Sequence, residues 1–361
     1  MNTPLDLYAL GRLVPQPEEK YREQARAHVR RLVKPVGSLG RLEELGIWLA
    51  GVQGACPPRP ITRPRVVIFA GDHGITQAGV SAYPPETTAK IVRTILTGGA
   101  AVNVLAPLAG ATIRLVDVAV DADFPEAPAS VTEHKVRRGC GRIDTEDALT
   151  RDQAEQAFRA GMAIADTEVD SGADLLIPGD VGIGNTTPGA VLVATLTSGD
   201  AISVIGRGSG IDDATWIRKG AAIRQALRRA RSVTDDPLQL LATATGADFA
   251  AMSGFLLQAA IRRTPVLLDG IVPGACALLV HHCAYRVGEW WLAGHRSTEP
   301  AHHKALRRLR LEPLLDYGVR LGEGTGALLA LPLLRAAAAT QAEMATLDQA
   351  GIPEPERSPF T

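Results

Sequence analysis

One carboxylate in the chain is surrounded by glycines. Glu323 lies in the stretch Gly318-Val-Arg-Leu-Gly-Glu-Gly-Thr-Gly, just before the last apolar segment of the sequence. Glycine has no Cβ, so a bound molecule can approach this carboxylate closely, and Thr325-Gly326 can begin a helix. Such a setting suits a general base; a solvated Glu in a glycine-rich turn is the alternative interpretation. We take Glu323 as the first candidate for a catalytic group.

Other glycine-rich stretches follow apolar runs elsewhere in the chain. They are Gly71-Asp-His-Gly, Gly179-Asp-Val-Gly-Ile-Gly-Asn-Thr-Thr, Gly206-Arg-Gly-Ser-Gly and Asp269-Gly270. Ligands of open α/β sheets bind beyond the carboxyl ends of the strands. Several glycine loops at strand ends therefore predict one shared crevice.

The stretch 179–188 is the best candidate for an anion site. Asn185, Thr186 and Thr187 precede Pro188, a residue favoured at the first helical position, so their polar groups lie at a positive helix end. A phosphate fits there, and ordinary helix capping is the alternative. The stretch is not a Walker A loop, because no Gly-Lys-Ser/Thr follows.

Three other groups of side chains are less specific. Lys219 lies on the helix predicted after the 206–210 loop, where a solvated lysine is the alternative. Asp72-His73 is either an acid–base pair or a loop-shaping element. A metal site is suggested by Cys276, His281, His282 and Cys283, but the cysteines are too far apart for neighbouring ligands, so we predict no metal. We also expect no cofactor.

The composition describes a globular protein. The chain has 361 residues, 46% of them hydrophobic, and a formal net charge of -1, which excludes a typical nucleic-acid binder or a disordered chain. The longest uncharged run, residues 94–113, is broken by glycines, Asn103 and Pro107, so we predict no membrane span. The four cysteines show no CxxC spacing and the N-terminus no signal pattern, so a cytoplasmic location is the default expectation.

The elements that must position these loops follow an α/β pattern. Beyond the proline-rich stretch 57–64, short β-branched runs alternate with Ala-rich helices, which predicts a mainly parallel six-stranded sheet flanked by helices. The strand candidates are residues 66–70, 113–118, 174–177, 201–205, 265–268 and 289–293. We expect a large α/β domain over residues 61–327. A small helical domain is expected from residues 1–60 and 328–361, whose last part is an irregular tail.

The ordered set of motifs resembles one enzyme family over nearly the whole chain. The motifs are Lys34-Pro-Val-Gly-Ser-Leu-Gly-Arg-Leu-Glu, Phe69-Ala-Gly-Asp-His-Gly-Ile, Gly79-Val-Ser-Ala-Tyr-Pro, Gly182-Ile-Gly-Asn-Thr-Thr, Gly206-Arg-Gly-Ser-Gly-Ile-Asp-Asp, His295-Arg-Ser-Thr-Glu-Pro and Leu321-Gly-Glu-Gly-Thr-Gly-Ala. They are similar to those of the nicotinate-nucleotide:dimethylbenzimidazole phosphoribosyltransferases, the CobT family. The resemblance implies a Rossmann-like fold and a homodimer. It also implies transfer of phosphoribose from nicotinate mononucleotide to 5,6-dimethylbenzimidazole with inversion at C1′.

The resemblance also implies roles for individual residues. Glu323 matches the catalytic glutamate, with Asp180 and Lys219 as helpers, although a glutamate is the usual family residue at 180. The base pocket is expected from Ser81, Tyr83 and Ile91. The phosphoribose site is expected from Gly182, Gly184, Asn185, Thr186, Thr187, Gly208, Ser209, Ser297, Gly322 and Gly326.

Other functions stay open at this point. Related enzymes accept adenine, other benzimidazoles or phenols, and the sequence does not decide among them. A nucleotide N-glycosidase would use water as the acceptor, and a nucleotide-binding regulator would keep the fold without catalysis. A nicotinamide-dependent dehydrogenase is disfavoured, because no GxGxxG with a following acidic residue comes after the first strand.

Overall fold

A computed structural model describes residues 5–353, so the end of the predicted tail lies outside the described residues. The strands are β1 Pro64–Gly71, β2 Thr112–Ala119, β3 Leu175–Val181, β4 Val266–Leu268, β5 Trp291–His295 and β6 Pro313–Leu315. The helices are α1 Leu7–Gly11, α2 Glu19–Arg30, α3 Arg41–Gln53, α4 Thr87–Leu96, α5 Ala101–Leu108, α6 Ala129–Thr132, α7 Arg151–Asp170, α8 Thr186–Leu196, α9 Asp213–Arg231, α10 Pro237–Ala244, α11 Ala247–Ile261, α12 Ile271–Cys283, α13 Pro300–Leu309 and α14 Thr325–Glu343. Two 3₁₀ helices, Gly74–Ala78 and Tyr285–Trp290, complete them.

The six strands form one parallel sheet in the order β2-β1-β3-β4-β5-β6. Every residue of β3 is buried, and in β1 only Arg65 is partly exposed. Strands covered on both faces read as continuous apolar runs, which is why the sequence identifies them. The predicted α/β class with a six-stranded parallel sheet is confirmed.

One predicted strand is wrong, and one strand was missed. Residues 201–205 form turns, because the Asp200 carboxylate accepts the Ser203 N–H at 2.8 Å and the side chain of Ile202 is 73% exposed. The sixth strand is instead β6, a three-residue edge strand whose first residue is Pro313. Proline is tolerated at the first position of an edge strand, but it weakens any strand prediction from sequence.

The chain divides into two compact units. The large unit comprises the residues up to Pro15 and residues 63–330; the small unit comprises residues 16–62 and the chain from Leu331 onward. Residues 5–15, which we expected in the small helical domain, pack within the large unit. There the Trp290 indole N–H donates to the carbonyl of Pro15 at 2.9 Å.

The small unit is built from α2, α3 and the later part of α14. The Gln341 side chain donates to the Glu43 carbonyl at 3.3 Å, and its own backbone carbonyl is 2.7 Å from Nε2 of His28. Lys34, in the turn between α2 and α3, lies 2.7 Å from the Glu43 carboxylate, and both side chains are largely buried. The turn thus has a structural ion pair of its own.

A single stretch of the described chain is long and apolar enough to be compared with a membrane span, residues 87–108. In the structure it consists of α4, of 10 residues, and α5, of 8 residues, separated by a turn at 97–100. A helix needs about 20 residues to cross a bilayer. Neither helix has that length.

Candidate active site

A cavity of about 750 Å³ opens in the large unit. Its lining comes from the chain after β1, from the end of β3 and the start of α8, from the 206–210 loop and from the segment before α14. The lining residues are Val80, Ser81, Tyr83, Thr87, Ile91, Asp180, Val181, Gly182, Ile183, Gly184, Asn185, Thr186, Gly208, Ser209, Val319, Arg320, Leu321 and Glu323. Three of the five glycine-rich stretches that the sequence predicts to share a crevice, 179–187, 206–210 and 318–326, meet here. Gly71-Asp-His-Gly and Asp269-Gly270 are not in the lining.

Glu323 has an unusual backbone conformation. Its φ is +59°, and its neighbours Gly322 and Gly324 have φ values of +91° and +77°. For a residue with a side chain this left-handed conformation is uncommon and costs energy. Two hydrogen bonds hold it: the Glu323 N–H donates to the carbonyl of Asp180 at 3.2 Å, and the Thr325 side-chain hydroxyl donates to the Gly322 carbonyl at 2.8 Å. The turn therefore presents one carboxylate to the cavity.

Glu323 is only 7% exposed. Its Oε2 accepts the Val102 N–H at 3.2 Å, at the first turn of α5. Burial raises the pKa of Glu323 above its ordinary value; the bond from Val102 opposes this, and the negative charge of Asp269 adds to the rise. A carboxylate with a raised pKa accepts a proton more readily than an exposed one.

Asp180, at the end of β3, is a second buried carboxyl. Its Oδ2 accepts a hydrogen bond from the Asn185 side chain at 2.7 Å. Burial raises the pKa of Asp180 to about 8, and the charges of Asp269 and Asp248 contribute to the rise. Asp180 is therefore mainly protonated at neutral pH.

The start of α8 provides hydrogen-bond donors next to a buried lysine. Asn185 and Thr186 line the cavity, where α8 begins. Lys219 donates from Nζ to the Thr186 hydroxyl at 2.8 Å and to the Gly206 carbonyl at 3.3 Å. The lysine is 1% exposed, and burial lowers its pKa. It is not the solvated lysine that a lone helical position suggested.

The 206–210 loop is held from two sides. The Gly208 N–H donates to the Glu299 carboxylate at 2.8 Å, and the Arg320 guanidinium donates from Nε to the Gly208 carbonyl at 3.3 Å. The hydroxyls of Ser209 and Ser81 are 3.3 Å apart. This loop thereby joins the predicted phosphoribose side of the cavity to the predicted base side.

All three residues predicted to bind the base, Ser81, Tyr83 and Ile91, line the cavity. Tyr83 is 55% exposed, which places its ring at the mouth, whereas Ile91 is half-buried. Val80 and Leu321 add apolar surface to the lining. This part of the cavity suits a flat apolar ring.

Four residues predicted to bind phosphoribose lie outside the lining. Thr187 is fully buried, and Ser297 is 2% exposed with its N–H donated to His302. Gly326 packs against His295, where a Cβ would come within 2.1 Å of the imidazole. Gly322 lies beside Asp180 and shapes the turn. These residues support the cavity walls.

His73 does not pair with Asp72. Its Nε2 is 3.1 Å from the Asp248 carboxylate, and both side chains are buried. Asp72 instead accepts the Asp121 N–H at 2.8 Å. Across residues 5–353, no group of three or more His, Cys, Asp or Glu side chains is placed to hold a metal ion.

Sequence reasoning missed three groups beside the site: the Val102 N–H, the Glu299 carboxylate and the Asp269 carboxylate. A backbone donor has no sequence signal. Glu299 lies within the His295-Arg-Ser-Thr-Glu-Pro motif and Asp269 in the Asp269-Gly270 stretch, but the sequence assigned neither carboxylate a role. A carboxylate directly after a buried strand in an α/β protein was the available signal.

Comparison with known proteins establishes the family. The profile of the phosphoribosyltransferase family DBI_PRT matches residues 14–352. The chain belongs to this phosphoribosyltransferase family. Over 335 residues it is 58% identical to the nicotinate-nucleotide--dimethylbenzimidazole phosphoribosyltransferase of Mycolicibacterium paratuberculosis, covering 93% of this chain and 95% of the relative. The same-named protein of Mycobacterium tuberculosis is 56% identical over 341 residues, or 94% and 93% of the two chains.

A solved structure agrees with the fold. The crystal structure of CobT from Thermus thermophilus superimposes with a TM-score of 0.87 at 40% identity, and covers 93% of this chain and 100% of that one. The predicted family is confirmed, and this phosphoribosyltransferase is an enzyme of the α/β class.

Proposed function

We propose that this phosphoribosyltransferase moves the phosphoribosyl group of nicotinate mononucleotide to 5,6-dimethylbenzimidazole, giving α-ribazole 5′-phosphate and nicotinate for the cobalamin lower ligand. The names of its relatives support this substrate pair. The observation that carries the proposal is the buried carboxylate of Glu323, in the same cavity as the donor-rich start of α8.

The donor's phosphate and ribose bind at the start of α8. Backbone N–H groups and hydroxyls at a helix N-terminus attract anions, and the buried Lys219 behind Thr186 adds positive charge. Gly182, Gly184 and Gly208 let the backbone approach the sugar closely. Arg320, at the rim, adds a cation to the lining.

The chemistry needs one base. The glycosidic nitrogen of nicotinate mononucleotide is a cationic pyridinium, so nicotinate leaves with the bond's electron pair as a neutral ring and needs no general acid. The unprotonated nitrogen of the benzimidazole forms the new bond to C1′, and its other nitrogen must then lose a proton. Glu323 accepts that proton. Negative charge near C1′ stabilises the oxocarbenium-like transition state.

Asp180 has a different role from Glu323. With a pKa of about 8 it is mainly neutral at pH 7, so it is a hydrogen-bonding group for the ribose rather than a second base. Its carbonyl also holds the Glu323 N–H. The aspartate is one methylene shorter than the glutamate usual for the family, and its bond to Asn185 holds it in the lining.

The acceptor stacks in the part of the cavity lined by Ser81, Tyr83 and Ile91.

We infer a homodimer from the exposed apolar side chains of α5, where Val104 is 60% and Leu108 79% exposed. The cysteines Cys56, Cys140, Cys276 and Cys283 carry free thiols, as in proteins of a reducing compartment, which supports a cytoplasmic location.

The test is the release of nicotinate by purified protein given nicotinate mononucleotide, with no acceptor, with 5,6-dimethylbenzimidazole or with adenine. We expect release only with an acceptor, and faster with the benzimidazole. Release of nicotinate and ribose 5-phosphate without acceptor would indicate a hydrolase. No release with any acceptor would indicate a nucleotide-binding protein.

A further inference from the structure

Asp269 is a buried carboxylate that the reaction described above does not use. It follows β4 directly and is 0% exposed. Its Oδ2 accepts the Gly324 N–H at 3.2 Å, and its Oδ1 accepts the Ala327 N–H at 2.9 Å. Both donors lie within four residues after Glu323, at the start of α14.

Such a distant partner is unusual for a helix start in this chain. The helices α7, α9 and α10 are capped by the side chains just before them, Thr150, Asp212 and Asp236. In α14 the corresponding region contains Gly324, whose φ of +77° favours glycine, and glycine has no side chain to offer. Asp269 supplies the missing acceptor from a neighbouring strand.

The two contacts use both oxygens of the Asp269 side chain as acceptors. A carboxylate has two oxygens that both accept, and a negative charge is favoured at the N-terminus of a 19-residue helix. An asparagine offers one oxygen and turns its NH₂ group towards an N–H donor. Exchange of Asp269 for asparagine therefore removes one hydrogen bond and the charge while keeping the shape.

We propose that Asp269 is the positioning residue for the catalytic base: it fixes the turn that presents Glu323 to the cavity, and it does so with a buried negative charge close to that base. The inference rests on the role proposed for Glu323. It adds that the geometry and the proton affinity of the base depend on one side chain outside the cavity.

The charges around this turn come from several elements. His295, at the end of β5, has its Nε2 3.2 Å from Oδ1 of Asp269. Burial lowers the pKa of His295, but the Asp269 carboxylate outweighs this and the net shift is upward. Asp248 on α11 adds negative charge and pairs with His73, whereas Asp180 on β3 is mainly neutral at pH 7. Removing the Asp269 charge lowers the pKa of Glu323, because Asp269 is one of the causes that raise it.

The test compares Asp269→Asn with wild type in the pH dependence of kcat. We expect kcat to fall about 10- to 100-fold, because the base is misplaced, with KM changed less than about twofold. The base is active when deprotonated, so a lower Glu323 pKa moves the acidic limb of the profile to lower pH.

The matched control is Asp117→Asn. Asp117 is also 0% exposed and, like Asp269, accepts a backbone N–H and lies beside a basic side chain. It accepts the Val120 N–H at 2.8 Å and pairs with Lys135, but it does not contact the Glu323 turn. This variant should lose thermal stability and keep the acidic limb in place. A limb that stays in place in Asp269→Asn as well would reduce Asp269 to a structural cap and overturn the inference.

A direct titration separates this inference from the proposed reaction. In protein labelled with ¹³C at the glutamate carboxyls, Glu323→Gln identifies the Glu323 signal, and the proposal predicts titration at lower pH in Asp269→Asn. This result is decisive even if nicotinate mononucleotide is not turned over. If Asp269→Asn does not fold, His295→Gln serves: loss of the imidazole that offsets the Asp269 charge should move the Glu323 titration to higher pH, and no movement would contradict the proposal.

Discussion

The turn that carries Glu323 and the stretch that begins α8 form two walls of one cavity, yet they are held in different ways. Around Glu323, three consecutive residues have positive φ, and the anchors come from Asp180, Val102 and Asp269. The start of α8 continues directly into a buried helix and has Lys219 beneath it. The first wall is strained and negative, whereas the second is regular and rich in donors.

This difference separates the functions of the two walls. Strain and burial are useful where one proton must be accepted from one direction. A helix start suits an anion that is bound equally before and after the reaction. Changes in the first wall should therefore lower kcat, and changes in the second should raise KM for the nucleotide.

The largest effect is expected from Glu323→Gln. The amide keeps the size of the side chain and cannot accept the proton, so kcat should fall about 10²- to 10⁴-fold with little change in either KM. Steady-state kinetics measures both parameters. Glu155→Gln, at a half-buried position of α7 outside the cavity, is the control and should behave as wild type. A wild-type kcat in the Glu323→Gln enzyme would show that Glu323 is not the catalytic base.

The second wall is tested by Lys219→Met. Methionine fills the volume without the charge, and a hydrogen bond from a charged group contributes about 1.5–3 kcal/mol, so KM for nicotinate mononucleotide should rise about 10- to 100-fold. Arg224→Met, at an exposed position of the same helix, should leave KM unchanged. If Lys219→Met lowered kcat alone, the division between the walls would be wrong.

The burial of Asp180, which anchors the first wall, should be visible in the pH dependence of stability. The pKa of Asp180 is about 8 in the folded protein against 3.8 ordinarily, so between these pH values the folded state binds the extra proton and stability falls as pH rises. Asp180→Asn should remove that slope, up to about 1.4 kcal/mol per pH unit. Urea unfolding at pH 5 and pH 8 measures it, with the exposed Asp213→Asn as control. Equal slopes in wild type and Asp180→Asn would contradict the buried, neutral state of Asp180.

The smallest effect is expected where the acceptor base binds. Ile91→Ala removes apolar surface from the lining and should raise KM for 5,6-dimethylbenzimidazole about three- to tenfold, because a buried CH₂ contributes about 0.8 kcal/mol. KM for the nucleotide should stay constant. Ile217→Ala, at a position 64% exposed, is the control. An unchanged KM for the benzimidazole would place the acceptor elsewhere.

The sequence predicts the regular wall and the sheet well, because their signals are local. Buried strands such as β1 and β3 are apolar runs, and the helix start at Thr186-Thr187-Pro188 is a short motif. The edge strand β6 was missed, and the turn at 201–205 was predicted to be a strand. A three-residue strand and a short apolar turn differ only in their distant partners.

The strained wall is less predictable for the same reason. Its glycines are visible in the sequence, but its anchors are not. Val102 is separated from Glu323 by 221 positions, and Asp269 from its donor Gly324 by 55 positions. Nothing local distinguishes Asp269 from any other aspartate at a strand end. Tertiary structure alone brings them to Glu323.

The most direct test of the account is the configuration at C1′ of the product. If Glu323 acts as a base and the benzimidazole attacks C1′ itself, the reaction inverts the β-configured donor, and NMR of the purified ribotide will show the α anomer. A β product would indicate two displacements through a covalent intermediate, with a carboxylate of the strained wall as the nucleophile. That result would contradict the role of Glu323 proposed here.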